Sequence, residues 1–159
     1  MKAVFQRVTS ACVRVADGGE TGIIGSGALI LLGVEQGDAE AQADLMAEKI
    51  ARLRVFADEN GRMNRSVLDT GGGLLVVSNF TLCGNCRHGR RPEFLSAARP
   101  ETARSLYERL VQKLREMGVS RVETGEFGAD MRVELAGDGP VTLILDTADW
   151  KPAGGGTQS

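Results

Sequence analysis

A single histidine, His88, occurs in 159 residues. A metal site built on two histidines of one chain is therefore excluded. Any Ser-His-Asp arrangement has one possible base, and that base lies in Arg87-His88-Gly89-Arg90-Arg91, a basic stretch suited to a solvated loop. No G-x-S-x-G elbow, P-loop or H-E-x-x-H motif is present. Aromatic residues make up only 4%, so the core must be built from Val, Leu, Ile and Ala. Three cysteines, an odd number, form no disulfide framework. A reducing cytoplasm is the simplest reading of that usage, and a cytoplasmic location is expected. No apolar run reaches the roughly 18 residues needed to span a membrane. The start, Met1 to Val8, alternates like a strand and lacks the apolar segment and cleavage site of a signal peptide. The net charge of −2 excludes a wholly basic nucleic-acid coat, so any such contact must use a local patch.

What is present fits one α/β domain over residues 1–150, with a Gly-rich, disordered tail at 151–159. Apolar content of 42% and charged content of 25% are ordinary for a globular chain. Val4–Val8, the alternating segment around Cys12–Ala16, and Thr21–Ile24 read as antiparallel strands, with a turn at Asp17-Gly18-Gly19. Ala28–Val34 and Leu74–Ser78 are continuously apolar, as in strands covered on both faces. Asp38 is placed to cap a helix reaching Leu53, with Leu45, Met46, Ile50 and Leu53 as its apolar stripe. Arg54–Phe56 reads as a short strand, and Met63–Leu68 fits either class. Residues 83–99 form a polar, basic loop. Pro100 opens a second helix with a stripe of Leu106, Tyr107, Leu110, Val111, Leu114 and Met117, ended by Gly118. Val119–Glu123, Met131–Leu135 and Val141–Leu145 follow as strands, the last two joined by a hairpin at Asp138-Gly139. The expectation is about eight strands and two long helices.

Two segments carry backbone groups in unusual places beside small polar side chains: Ser78-Asn79-Phe80-Thr81-Leu82 and Gly137-Asp138-Gly139-Pro140-Val141-Thr142. Neither holds an evident base or metal ligand. Cys83-Gly84-Asn85-Cys86 with His88 offers three zinc-type ligands and would need a fourth. Two incidental surface thiols are the alternative, since Arg87, Gly89 and Pro92 disfavour the helix of a thioredoxin-like site.

The chain resembles bacterial D-aminoacyl-tRNA deacylases from residue 1 to about 147. The resemblance is carried by Val4-Phe5-Gln6-Arg7-Val8, Leu31-Leu32-Gly33-Val34, Met63-Asn64-Arg65-Ser66-Val67-Leu68-Asp69, Ser78-Asn79-Phe80-Thr81-Leu82, Gly89-Arg90-Arg91-Pro92, Thr124-Gly125-Glu126-Phe127-Gly128-Ala129-Asp130-Met131 and Asp138-Gly139-Pro140-Val141-Thr142, in this order. It implies a small α/β domain with a barrel-like mixed sheet and two long helices, acting as a homodimer without a cofactor or metal. It implies hydrolysis of the ester joining a D-amino acid to the 3′ acceptor end of tRNA, and release of glycine mischarged onto alanine tRNA. Asn79 stands where the family usually carries glutamine, and Gly137 where it usually carries asparagine.

An activated ester beside a ribose hydroxyl needs an attacking water, a stabilised oxyanion and little more. The resemblance places the aminoacyl end at Ser78, Asn79, Phe80 and Thr81, the catalytic segment it implies, with backbone N–H groups of Phe80 and Thr81 expected to face the ester. The Thr81 hydroxyl is either a nucleophile or a local hydrogen-bonding group, and the lack of an activating base favours the latter. From the residues alone, Gly139-Pro140 is an ordinary hairpin tip. The resemblance instead implies a cis bond inserted into the partner subunit's pocket, where it collides with an L-side chain and admits a D-amino acid or glycine. It assigns Arg7 to bracing that segment; a strand-edge surface charge is the alternative. It assigns Phe127 and Met131 to the terminal adenine, with plain core packing as the alternative. Arg87, Arg90 and Arg91 are phosphate candidates or members of a solvated loop. Two other functions stay open: a relaxed deacylase of mischarged L-aminoacyl-tRNA, and a non-catalytic nucleic-acid-binding module.

Overall fold

Strand β1 (Lys2–Val15) pairs on both of its edges and organises the sheet. The computed structural model describes residues 1–150; the tail expected at 151–159 lies outside the described residues. Along one edge, β1 pairs with β8 (Met131–Asp146) from Lys2↔Asp146 to Val15↔Met131. Along the other it pairs first with β3 (Gly27–Gly33) and then with β2 (Glu20–Ile24). The sheet continues in parallel through β6 (Gly73–Ser78) to β7 (Arg121–Thr124). It then curls until β2 meets β7. At Gly22 a Cβ would lie 2.7 Å from the Thr124 carbonyl oxygen, so the absence of a side chain permits that contact. The result is an α/β domain with a nearly closed, barrel-like mixed sheet. A separate two-stranded sheet joins β4 (Phe56–Ala57) and β5 (Met63–Arg65).

The continuous apolar runs are covered on both faces, as their composition requires. Ala28, Ile30, Leu32, Leu74 and Val76 face the core shared with α1 (Glu40–Arg52) and α3 (Pro100–Glu116). Leu29, Leu75 and Val77 point the other way, into a second core with Val8, Ala11, Val13 and Ile24. A short helix, α2 (Val67–Thr70), is capped by Ser66, whose hydroxyl oxygen accepts from the Asp69 N–H while the Asp69 carboxylate accepts from the Ser66 N–H.

Four expectations are corrected. The segments around Val4–Val8 and Cys12–Ala16 belong to one strand, because β8 supports β1 along its whole length. No hairpin forms at Asp138-Gly139, because both flanks pair with β1 in a single continuous β8. The N-cap of α1 is Ala39; Asp38 instead binds the Met1 ammonium at 2.8 Å and accepts from the Glu35 N–H. The buried face of α1 is Ala43, Met46, Ala47, Ile50 and Ala51, and Leu45 turns outward. The alanines let α1 approach the sheet closely, which rotates the stripe away from the larger Leu45. Met63–Leu68 resolves into β5 and the start of α2.

Candidate active site

The turn after β6 is fixed by its neighbours. Ser78 pairs with Leu32, and the Asn79 N–H donates to the Leu32 carbonyl at 2.7 Å. The chain then closes into a 3-10 turn, Phe80–Cys83. Asn79 Oδ1 accepts from the Thr81 N–H at 3.2 Å and from the Thr81 hydroxyl. The Thr81 hydroxyl is thus engaged locally, with a side chain as its partner. The Phe80 N–H has no hydrogen-bond partner among the described residues. Gly33 lets the turn sit on β3: a Cβ there would lie 2.9 Å from Leu82 Cβ and 3.1 Å from the Asn79 carbonyl oxygen. Cys83 anchors the far end, buried with its thiol donating to the Val34 carbonyl at 3.5 Å, and burial pushes that thiol's pKa up. Cys86 is exposed and also a free thiol. Among the described residues no group of three or more His, Cys, Asp or Glu side chains is arranged to hold a metal ion.

A cavity of about 640 Å³ opens beside this turn. Ser78, Asn79, Phe80 and Thr81 line one side, and Phe127 and Met131 line another. The site residues expected for the ester and for the adenine therefore meet in one space. Helix α3 supplies a third wall through Pro100, Ala103 and Tyr107. The buried Tyr107 hydroxyl donates to the Val76 carbonyl at 2.8 Å, and desolvation pushes its pKa up to about 12. Its ring lies 5.8 Å from that of Phe127. The cavity is mostly apolar; among the described residues Asp130 is the one charged residue lining it.

Gly139, Pro140 and Arg7 do not line this cavity. They form a second feature on the β1–β8 ladder. Gln6 pairs with Thr142 and Val8 with Gly137, so Arg7 alone faces Asp138, Gly139, Pro140 and Val141. The surplus residues form a protruding bulge. The Gly139–Pro140 bond is cis, and Gly139 has φ +123°. Arg7 Nε donates to the Asp138 carbonyl at 3.2 Å, and Nη1 to the Val55 carbonyl at 2.6 Å. Its side chain is only 14% exposed, which rules out a free surface charge.

Arg87, Arg90 and Arg91 are exposed in the 83–99 loop and none lines the cavity. That loop is tied across its base by reciprocal backbone hydrogen bonds between Asn85 and Glu93. Its Phe94 packs edge-on against Phe80, with ring centroids 5.2 Å apart. Sequence reasoning missed the Phe94 contact, the Val55 carbonyl, Asp130 and the role of α3 as a wall. Ala103 was the available signal for the last: a small residue beside Tyr107 on the same helical face leaves room for something else.

The model of the family described as D-Tyr-tRNA(Tyr) deacylase matches residues 4–146. A D-aminoacyl-tRNA deacylase of Pelobacter propionicus is 58% identical over 146 residues, spanning 92% of this chain and 99% of its own. One from Thermus aquaticus is 56% identical over 150 residues, spanning 94% of this chain and 97% of its own. Among solved structures, a c-Myc DNA unwinding element binding protein superposes with a TM-score of 0.86 at 39% identity, covering 96% of this chain and all of the other. A probable eukaryotic D-amino acid tRNA deacylase shares the fold, with a TM-score of 0.75 at 16% identity, covering 91% of this chain and 97% of the other. With a family model matching residues 4–146 and relatives of this similarity over nearly its full length, the chain belongs to the D-Tyr-tRNA(Tyr) deacylase family.

Proposed function

We propose that this protein hydrolyses the ester of D-aminoacyl-tRNA, and of glycyl-tRNA, while sparing L-aminoacyl-tRNA. The observation that carries this reading is the convergence of the Ser78–Thr81 turn with Phe127 and Met131 on one cavity. The terminal adenine lies against Phe127 and Met131, and the ester lies against the turn. A water oxygen adds to the ester carbonyl carbon, assisted by the neighbouring ribose hydroxyl. The carbon–oxygen bond to the ribose then breaks, and the ribose oxygen takes a proton. The unpartnered Phe80 N–H is the donor available to the developing oxyanion. The Thr81 N–H is held by Asn79, so its part is to keep the turn in shape.

Handedness is read by the Gly139–Pro140 bulge. It lies outside the cavity of its own chain, and the family resemblance supplies its target: the cavity of a second copy in a homodimer. Main-chain atoms held there by Arg7 exclude an L-side chain and leave a D-side chain or a lone hydrogen unopposed. Arg87, Arg90 and Arg91, exposed on the 83–99 loop, are the proposed contacts for tRNA phosphates.

Parallel deacylation of D-Tyr-tRNA, L-Tyr-tRNA and Gly-tRNA tests the reading. Release from the D and glycyl esters alone is expected; release from the L ester alone overturns it. The resemblance to a DNA unwinding element binding protein favours a second reading, a nucleic-acid-binding module. That alternative predicts retention of tRNA with no release from any ester.

A further inference from the structure

A nucleotide brings a phosphate wherever its base and ribose go. Among the described residues, the cavity that would take the terminal adenosine is lined by no cation, and its one charged residue is Asp130. An anion leaving this cavity must find its counter-charge at the rim. Arg104 touches the cavity's lining: its guanidinium lies 5.0 Å from the centre of the Phe127 ring, and Phe127 lines the cavity. Arg104 follows Ala103 and precedes Tyr107 by one helical turn, and both of those residues face the cavity. Tyr107 and Arg104 thus both pack on Phe127, the first from the buried side of α3 and the second from its exposed side. The guanidinium is otherwise weakly engaged. Its ion pair with Glu108 spans 4.0 Å, and both side chains are more than half exposed, at 57% and 63%. A cation resting on an aromatic face keeps its N–H edge free for an anion.

We propose that Arg104 binds the 5′-phosphate of the 3′-terminal adenosine, with Phe127 as the platform that fixes the guanidinium at the cavity rim. The assignment rests on the deacylase reading above. It makes Arg104 a substrate-binding residue separate from the arginines of the 83–99 loop.

Two small esters that differ only in the phosphate test it: 3′-O-D-tyrosyl-adenosine and 3′-O-D-tyrosyl-adenosine 5′-phosphate. The native protein is expected to favour the phosphorylated ester through KM. In Arg104→Ala that preference falls roughly fivefold, the scale of one exposed charge contact, while the unphosphorylated ester is cleaved as before. Arg104→Lys keeps part of the preference. If Arg104→Ala slows both esters equally, the side chain merely supports Phe127 and the proposal fails. It fails also if neither ester responds. Calorimetric binding of adenosine 5′-phosphate against adenosine separates this idea from the reading beneath it. A native protein that releases nothing from D-Tyr-tRNA, yet prefers the nucleotide in an Arg104-dependent way, would overturn the deacylase reading and leave the phosphate contact standing.

Discussion

Arg7 holds Asp138 by both its main chain and its side chain: Nε lies 3.2 Å from the carbonyl oxygen and 3.1 Å from the carboxylate Oδ2. The other end of the same guanidinium reaches Val55, so one side chain ties the β8 bulge to the segment before β4. Hydrogen bonds from a charged donor to a part-buried acceptor contribute about 1.5–3 kcal/mol each when their loss strands the acceptor. Arg7→Ala should lower stability by about 2 kcal/mol on that scale, and Arg7→Lys should recover only part, since an ammonium cannot span both acceptors. Urea unfolding midpoints measure this. An unchanged midpoint in Arg7→Ala would show that the bulge holds itself.

Gly139 and Asp138 are neighbours with unequal tolerance. At φ +123°, Gly139 occupies backbone space that other residues rarely adopt, and a Cβ there would lie 2.9 Å from the Val141 nitrogen and from Val141 Cγ2. The Asp138 side chain is 46% exposed, and the residue's carbonyl bond to Arg7 survives loss of that side chain. Gly139→Ala should therefore destabilise the protein and relax its preference for D- over L-tyrosyl-tRNA, while Asp138→Ala leaves the preference nearly intact. Equal effects of the two changes on the D-to-L rate ratio would contradict this.

Thr81 gives a sharper test of mechanism. Its hydroxyl is engaged with Asn79 and has no base beside it. Thr81→Ala is expected to retain deacylation within about tenfold, because loss of a true nucleophile costs on the order of 10⁴ or more. Single-turnover rates on D-Tyr-tRNA decide the matter, and a loss on the larger scale with native circular dichroism would return Thr81 to the nucleophile's role.

Asn79 caps the Phe80–Cys83 turn through one oxygen. Asn79→Ala should cost about 1 kcal/mol, the usual worth of such a cap, and should lower kcat more than it raises KM. A change confined to KM would mean that the amide binds substrate and does not brace the turn.

The lone tyrosine offers a clean titration. Desolvation raises the Tyr107 pKa to about 12, above its ordinary value of about 10. The folded state therefore holds the proton more tightly than the unfolded chain does. Stability from this group is complete below about pH 10 and drains away as pH rises toward about 12, a loss of roughly 2–3 kcal/mol. Tyrosinate absorbance should rise together with unfolding, and Tyr107→Phe should remove this alkaline step.

Much of this architecture was legible because the apolar runs are unambiguous. Ala28–Val34 and Leu74–Ser78 carry no alternation, and the structure buries both faces of each. The α3 stripe from Leu106 to Leu114 repeats at helical spacing and is buried as expected. The bulge was misread because Asp-Gly before Pro is a local turn signal, while its conformation is set by β1, whose residues lie far away in sequence. Leu45 was misread for a related reason: helical periodicity reveals a stripe, but the alanines chose which side of it would touch the sheet. The cavity's third wall was hidden because it is made by what Ala103 lacks.

The protrusion on β8 is clamped at both ends, by Gln6↔Thr142 on one side and Val8↔Gly137 on the other. In the role proposed for it, a segment mounted this way spends little entropy on binding, since its shape is settled before any encounter. A free loop of equal length could yield to the wrong enantiomer by bending aside. The chirality role proposed above calls for a segment that does not bend, and the ladder locking the main chain on either flank supplies that stiffness together with the Arg7 guanidinium.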